Sequence, residues 1–478
     1  MADLKAVSRV GAELTLDKGA IEAFSRTFSG EVVTPDSQTY EQSRRVWNGM
    51  IDRRPALIAR CAGVADVVAA VDFAREHDLL VAVRGGGHNV AGFGTCDGGL
   101  VIDLSPMRHV GVDPEARRAR VAGGARLHDL DRETQLFGLA TPAGAVSDTG
   151  VAGLTLGGGA GHLARRYGLT CDALRSAQVV TAGGEVVRAS EDENAELFWG
   201  LRGGGGNFGV VTEFEFEAYP VGPEVSVCFV FYPLAAAMDV LGFYRDWFSE
   251  APDEVSGIAF TGIVPQAEGF PAAIHGEPFI TVFATHCGSP DEAERTLRPL
   301  REIAEPLVDM SGPIAYVDLQ QMLDDDYPAH DLRYYWKSTF VSSLDDEVIA
   351  TILEQARKCP SALSTIDVWA VGGAVARVAD DATAFGGRQA PFLVNPESNW
   401  ASADDDDANI AWTRETWSAM QQFSTGAMYF NFPGQLEEGQ EIIRSTFGGK
   451  YERLAGLKAK YDPQNMFHLN QNIKPQDG

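Results

Sequence analysis

Hydrophobic spacing changes period several times along the chain, and each change predicts an element. PALIARC (55–61) is a short apolar run that predicts a buried strand. AGVADVVAAVDFAREHD (62–78) then places Val64, Val67, Val68, Val71 and Ala74 at the spacing of one helix face. LLVAVRGGG (79–87) is again strand-like and runs directly into glycines. Strand, helix, strand, glycine loop is the order of an α/β unit whose ligand loop leaves the carboxyl end of a strand. Further strands are expected at GLVIDLS (99–105) and ARRARVAGG (116–124), with a hairpin at AQVVTAGGEVVRAS (177–190) turning on Gly183–Gly184. From about Glu213 the pattern alters: EFEFEAYP (213–220) alternates charged and apolar residues, as a strand with one wet face does. Beyond it, strands such as SVCFVFYP, FITVFATHC and DVWAVGGAVARV mix with amphipathic helices up to about residue 425. The pattern predicts an α+β protein of two domains. Residues 1–215 form one; residues 216–424 form the other, an antiparallel sheet backed by helices.

Glycine sharpens this picture. Of 51 glycines, 27 fall between Arg84 and Gly209. Glycine gives up packing and loses entropy on folding, so such crowding needs sharp turns or backbone pressed against a ligand. The clusters RGGGHN (84–89), LGGGAG (156–161) and RGGGGNFG (202–209) fit several loops converging on one large anionic ligand. Two stretches, GAGHLA (159–164) and GGGNFG (204–209), match the dinucleotide fingerprint in letters only. The first follows no clear strand, and the second runs into a strand where a helix is required, so the glycines are expected to serve a cofactor geometry other than a Rossmann domain.

Charge and cysteine narrow the setting. With 39 Lys+Arg against 67 Asp+Glu the net charge is −28, which repels phosphate backbones and anionic membrane faces, so neither nucleic acid nor membrane is an expected partner. No apolar run reaches the length of a membrane span, and the first residues lack the apolar core of a secretion signal. Six scattered cysteines without a CxxC pair read as reduced thiols. A soluble cytoplasmic protein is the expectation. The acidic run Asp404–Asp407 is a solvated loop or helix start, with a calcium site the alternative.

His88 follows three glycines at a strand end, where an imidazole can lie against a ligand without steric interference; the bland alternative is a histidine that only bonds its loop. Five segments carry a wider resemblance. They are RPALIARCAGVADVVAAV, VAVRGGGHNVAG, TPAGAVSDTGVAGLTLGGGAGHLARRYGLTCDAL, LFWGLRGGGGNFGVVTEFEF and YFNFPG…YERLAGLKAKYDPQNMFHLNQNI. In that order the chain resembles the berberine-bridge-enzyme-like branch of the vanillyl-alcohol-oxidase/PCMH-type FAD-linked oxidases, over roughly residues 40–220 and 425–475.

The resemblance implies a PCMH-type FAD-binding fold, in which residues 425–478 return to complete the domain of residues 1–215, and FAD bonded covalently through a ring nitrogen of His88. It puts Gly85, Gly86, Gly87 and Asn89 at the pyrophosphate, with Ala91 and Gly92 continuing that wall. Ser147, Thr149, Gly150, Gly153, Leu154 and Gly157 would follow the pyrophosphate, ribityl chain and ring. Gly209 and Val210 would line the adenine side, and Tyr429, Asn431, Asn470 and Asn472 would close the site near the ring. Many members add a second bond from a cysteine; Val146 stands at that position here and Cys171 does not match it, so one covalent bond is expected. Val90 and Ala160 replace aromatics of plant relatives, implying a less crowded substrate side.

The activity implied is two-electron oxidation of a small organic substrate at an alcohol or amine carbon. Thr149, small enough to admit oxygen at the gate position, favours an oxidase yielding hydrogen peroxide over a dehydrogenase with another acceptor. A flavin-bearing drug-binding or resistance protein is the reading from a different class. Tyr429 is the first choice of base: in MYFNF, read as a strand, it shares a face with Asn431. A free tyrosine titrates near ~10, so the role needs a cation or strong hydrogen bonds, and Lys337 is a candidate helper. Tyr335, His162, Arg388 and His468 stay unassigned between pocket and support. Substrate and oligomeric state are not legible.

Overall fold

The computed structural model describes residues 3–476. Strands Leu57–Arg60, Leu100–Asp103 and Val81–Arg84 lie parallel, with Glu31–Val33 antiparallel on the outer edge. Helix Val64–Glu76 is the crossover; of its expected face Val67, Val71 and Ala74 are buried while Val64 and Val68 are half-buried, and Ala70 is buried beside them. Register pairs Arg84 with Asp103 at the carboxyl ends. There the Arg84 guanidinium makes two bonds of 3.1 and 2.8 Å to the Asp103 carboxylate. That buried fork anchors the exit of the chain into Gly85–Asn89.

A second sheet is wholly antiparallel, in the order Val186–Ser190, Leu174–Val180, Val210–Glu217, Arg118–Ala122, Val110–Asp113. The expected hairpin turns where predicted, with Gly184 at φ +81. In the EFEFE strand Phe214 and Phe216 are fully buried while Glu213 is exposed. This strand completes the second sheet up to Glu217, and the next long strand, Glu224–Pro233, belongs to a third.

The third sheet has nine strands, all pairs antiparallel, with the central path Glu224–Pro233, Pro278–His286, Val255–Ile263, Thr365–Ala370, Phe392–Trp400. Helices Ala237–Glu250, Pro290–Arg301, Asp346–Ala356 and Asp406–Met420 cover one face, packing Val230, Val282, Val368 and Val394 against Leu241, Ile352 and Trp412. By the two-residue period, Phe229, Phe231, Ile258, Phe260 and Trp369 point the other way. That aromatic face turns toward the glycine-rich half. Helices Gln440–Phe447 and Tyr451–Tyr461 pack back into the core of that half, where Lys458, fully buried, bonds Asp462 at 2.6 Å and two backbone carbonyls.

Two expected strands differ. DVWAVGGAVARV is a strand only to Ala370; Gly372 and Gly373, at φ +103 and +54, turn it into the short helix Ala374–Arg377. MYFNF is no strand: it has no partner ladder, and a turn closes from the Phe432 amide to the Tyr429 carbonyl at 3.0 Å just before Pro433. No helix of the described residues is long and apolar enough to cross a membrane.

Candidate active site

The aromatic face of the large sheet and the glycine loops enclose a cavity of about 690 Å³, within the range of cofactor and ligand sites. One wall is Gly85–Asn89, Thr149–Gly157, Gly205, Gly206, Gly209 and Asn470. Its glycines have two different causes. Gly86 and Gly150 cross backbone to backbone, and a Cβ on Gly86 would lie 2.5 Å from the Gly150 Cα. Gly153 and Gly206, by contrast, have nothing within 4 Å of where a Cβ would sit, and their φ angles suit any residue. Glycine there keeps space free on the cavity wall, which is what a large ligand pressed against backbone requires.

His88 lines the same wall. Its ring stacks on Trp47 at 4.2 Å and 20°, and Trp47 stacks in turn on Tyr334 at 3.7 Å. Asn48 ties this stack to both halves, donating to the carbonyls of Val90 (2.7 Å) and Tyr334 (2.8 Å). Burial, with the nearby Arg126 charge, pushes His88 down to about 3, so the imidazole is neutral and its lone pair free. Its Nε2 is enclosed without a hydrogen-bond partner. A fixed, neutral imidazole beside an open glycine wall fits a flavin held at that histidine.

Opposite lie two carboxylates that sequence reading passed over. Asp367 and Glu397 sit on adjacent strands, both more than nine-tenths buried and both on the cavity wall. Thr365 donates to Asp367 at 2.7 Å; Glu397 accepts from Tyr327 at 2.9 Å and from Asn395. Burial raises Asp367 to about 7, and burial together with Asp367 raises Glu397 well above the usual carboxylate range.

The family follows from this geometry together with two sequence matches. Residues 55–190 match the FAD binding domain model and residues 428–474 the berberine and berberine-like model. An FAD-linked oxidoreductase of Dictyostelium discoideum is 34% identical over 95% of this chain and 97% of its own. The chain belongs to the berberine-bridge-enzyme-like FAD-linked oxidoreductases of the PCMH-type superfamily. Among solved structures, 6-hydroxy-D-nicotine oxidase of Arthrobacter nicotinovorans superposes with TM-score 0.84 at 30% identity, over 94% of this chain and 98% of that one. Glucooligosaccharide oxidase of Acremonium strictum gives 0.85 at 25% identity, over 96% and 99%.

In this berberine-bridge-like chain the cavity brings together most of the residues expected there: Gly85, Gly86, Gly87, His88, Asn89, Thr149, Gly150, Gly153, Leu154, Gly157, Gly209, Tyr429, Asn431 and Asn470. Five expected residues lie off its wall. Ala91 is buried behind the loop, and Gly92, at φ +72, backs onto Ile51. Ser147 is held by Asp324, whose carboxylate accepts its N–H at 2.8 Å and its hydroxyl at 2.6 Å. Val210 belongs to the core of the parallel-sheet half, and the Asn472 carbonyl accepts from Gln440.

Although MYFNF is irregular, Tyr429 and Asn431 do meet. The phenol oxygen accepts from the Asn431 amide (2.9 Å), Gly159 N–H (3.1 Å) and Ala160 N–H (2.9 Å). Burial still wins over these three donors and pushes Tyr429 up to about 12.

The proposed helper does not reach it. Lys337 is buried, paired with Glu437 at 3.3 Å and with Glu438, over the Trp417 ring. Tyr335 joins the same cluster through Glu437 and Arg414. Arg388 pairs with Asp172 at 2.6 Å, His162 bonds Thr285 at 3.2 Å, and His468 bonds the Asn465 carbonyl; none of the three lines the cavity. Val146 lines it, and no cysteine does among the described residues. Asp406 of the acidic run bonds Arg333 and the Trp400 indole at the start of a helix. Trp47 and the Asp367–Glu397 pair were the misses; Asp367 inside the largely apolar strand TIDVWA was the available signal, whereas Glu397 lies in a strand of mixed polarity.

Proposed function

We propose that the protein is an oxidase carrying FAD on a single covalent bond from His88, and that it oxidises an alcohol or amine carbon of a small organic substrate, with O2 as final acceptor. The observation that carries this is the neutral, stacked His88 imidazole on a wall of glycines whose missing side chains leave open space. FAD, when bound, supplies the acceptor for two electrons from the substrate carbon. The Trp47 stack fixes the imidazole plane, and the Gly85–Asn89 backbone offers N–H groups to an anionic pyrophosphate. Val146 leaves no thiol for a second bond.

Tyr429 is assigned the substrate proton. Its oxygen is ringed by three N–H donors, a setting that stabilises a phenolate and offsets part of the cost of burial. Thr149 lines the wall, and its small side chain supports the reading that O2 is admitted there. The visible spectrum of acid-precipitated protein tests the central claim. Wild type should keep its yellow colour in the pellet and His88→Ala should release it. Colourless wild-type pellet defeats the covalent reading. Anaerobic reduction by substrate followed by air separates an oxidase from a dehydrogenase, since only an oxidase recovers its colour within seconds.

A further inference from the structure

Away from the glycine wall, the cavity's ionisable side chains are acidic. Asp367 and Glu397 lie on the wall among Phe229, Phe231, Trp336 and Trp369, and the turn Asp324–Asp326 adds Asp325 and Asp326 to the same space. Arg84 is the one cationic side chain on the wall among the described residues, and it is spent on Asp103. Glu397 has both oxygens bonded, but Oδ2 of Asp367 accepts no hydrogen bond from the described residues although the side chain is nearly buried.

A buried carboxylate is normally paired, because leaving a charge alone in an apolar setting is expensive. Two held together without a cation retain a proton instead, and a ligand that brings the missing positive charge would release it. Indole and phenol rings beside the carboxylates add attraction for a cation and offer an apolar bed for a ring-sized body. A neutral polyol would stack on the same rings but would bring no charge to displace that proton.

We propose that this end of the cavity binds a protonated amine borne on an apolar, ring-sized body, so that the substrates are basic amines rather than sugars or neutral alcohols. The assignment rests on the cavity being the flavin-bearing active site proposed above, and it narrows that site's substrate class. Asp367 and Glu397 are the residues that set specificity.

Titration calorimetry on the anaerobic holoenzyme at about pH 8, with Asp367 ionised and the amine still protonated, compares benzylammonium, benzyl alcohol and cellobiose. Benzylammonium should bind at least about tenfold more tightly than benzyl alcohol. Asp367→Asn/Glu397→Gln should bring that ratio near parity. Equal or tighter binding of benzyl alcohol or cellobiose, or no detectable binding of benzylammonium, overturns the proposal. So does a folded double variant that keeps the full preference. Should that variant not fold, the wild-type ratio decides alone. The spectrum of the same protein after acid precipitation reports separately on the flavin, so a failure of the covalent reading is distinguishable from a failure of this one.

Discussion

At the scale of single residues, the cavity works by holding groups in protonation states they would not adopt in water. Asp367 shows it most plainly. Its carboxyl is raised to about 7 in the folded chain against about 4 when unfolded, so the fold prefers it protonated. Its contribution to stability is therefore intact below about pH 4 and is lost as pH rises toward 7. The groups that face it, Glu397, Asp325, Asp326 and Tyr327, bring no compensating positive charge. Asp367→Asn is expected to melt at a higher temperature than wild type at pH 8, with the gap closing toward pH 5; a gap independent of pH would contradict this account. Tyr429 is raised as well, to about 12, although its oxygen is crowded with donors where that of Asp367 is not. On the proposed role, Tyr429→Phe should keep its flavin and lose about 10²–10⁴ in kcat, the range for general acid–base catalysis, with KM little changed. Rapid-reaction reduction kinetics on the purified variant measure the loss directly.

Among elements, the wall glycines separate into those that serve the fold and those that serve the ligand. A methyl on Gly86 would strike Gly150 backbone at 2.5 Å, so Gly86→Ala is expected to destabilise the chain by about 1–3 kcal/mol. Gly153 lies in the short helix Val151–Leu156 with open space around it, so Gly153→Ala should fold at least as well yet carry less flavin per chain. Denaturant melts and the ratio of flavin to protein absorbance check the pair.

The same elements show what local sequence could reveal. The crossover helix was legible because its apolar positions recur at helical spacing, its flanking strands because they are short continuous apolar runs, and His88 because it ends a strand beside three glycines. The Tyr429 segment was not: its alternation imitated a strand, but Pro433 and the lack of a neighbouring ladder make it a turn. Nor was the acid pair. Asp367 and Glu397 are thirty positions apart, and only the register that sets Thr365 opposite Glu397 and Asp367 opposite Asn395 brings them to one face. Register between distant strands is decided by tertiary packing, not by either strand's own pattern.

Across the whole molecule, the site exists only where the two halves meet, so the contacts joining them should govern substrate access. Asn48 bridges the histidine loop to the large sheet from one side. From the other, Asp324 clasps both the amide and the hydroxyl of Ser147, holding in place the turn that carries Asp325, Asp326 and Tyr327 over the cavity. Tyr327 in turn bonds Glu397, and its carbonyl accepts the Trp47 indole at 2.9 Å, so one short segment touches the acid pair and the residue that stacks on His88. Asp324→Ala removes both clasping bonds, each made to its carboxylate, and leaves the glycine wall untouched. Substrate affinity should fall by about tenfold or more through KM, because the roof over the acidic end is no longer positioned, while covalent flavin content and the rate at saturating substrate change little. Limited proteolysis gives an independent reading, with faster cleavage expected between residues 324 and 332. If Asp324→Ala instead loses flavin, Asp324 would act on the cofactor side of the cavity through Ser147, and the assignment of Ser147 to the pyrophosphate wall would regain its ground.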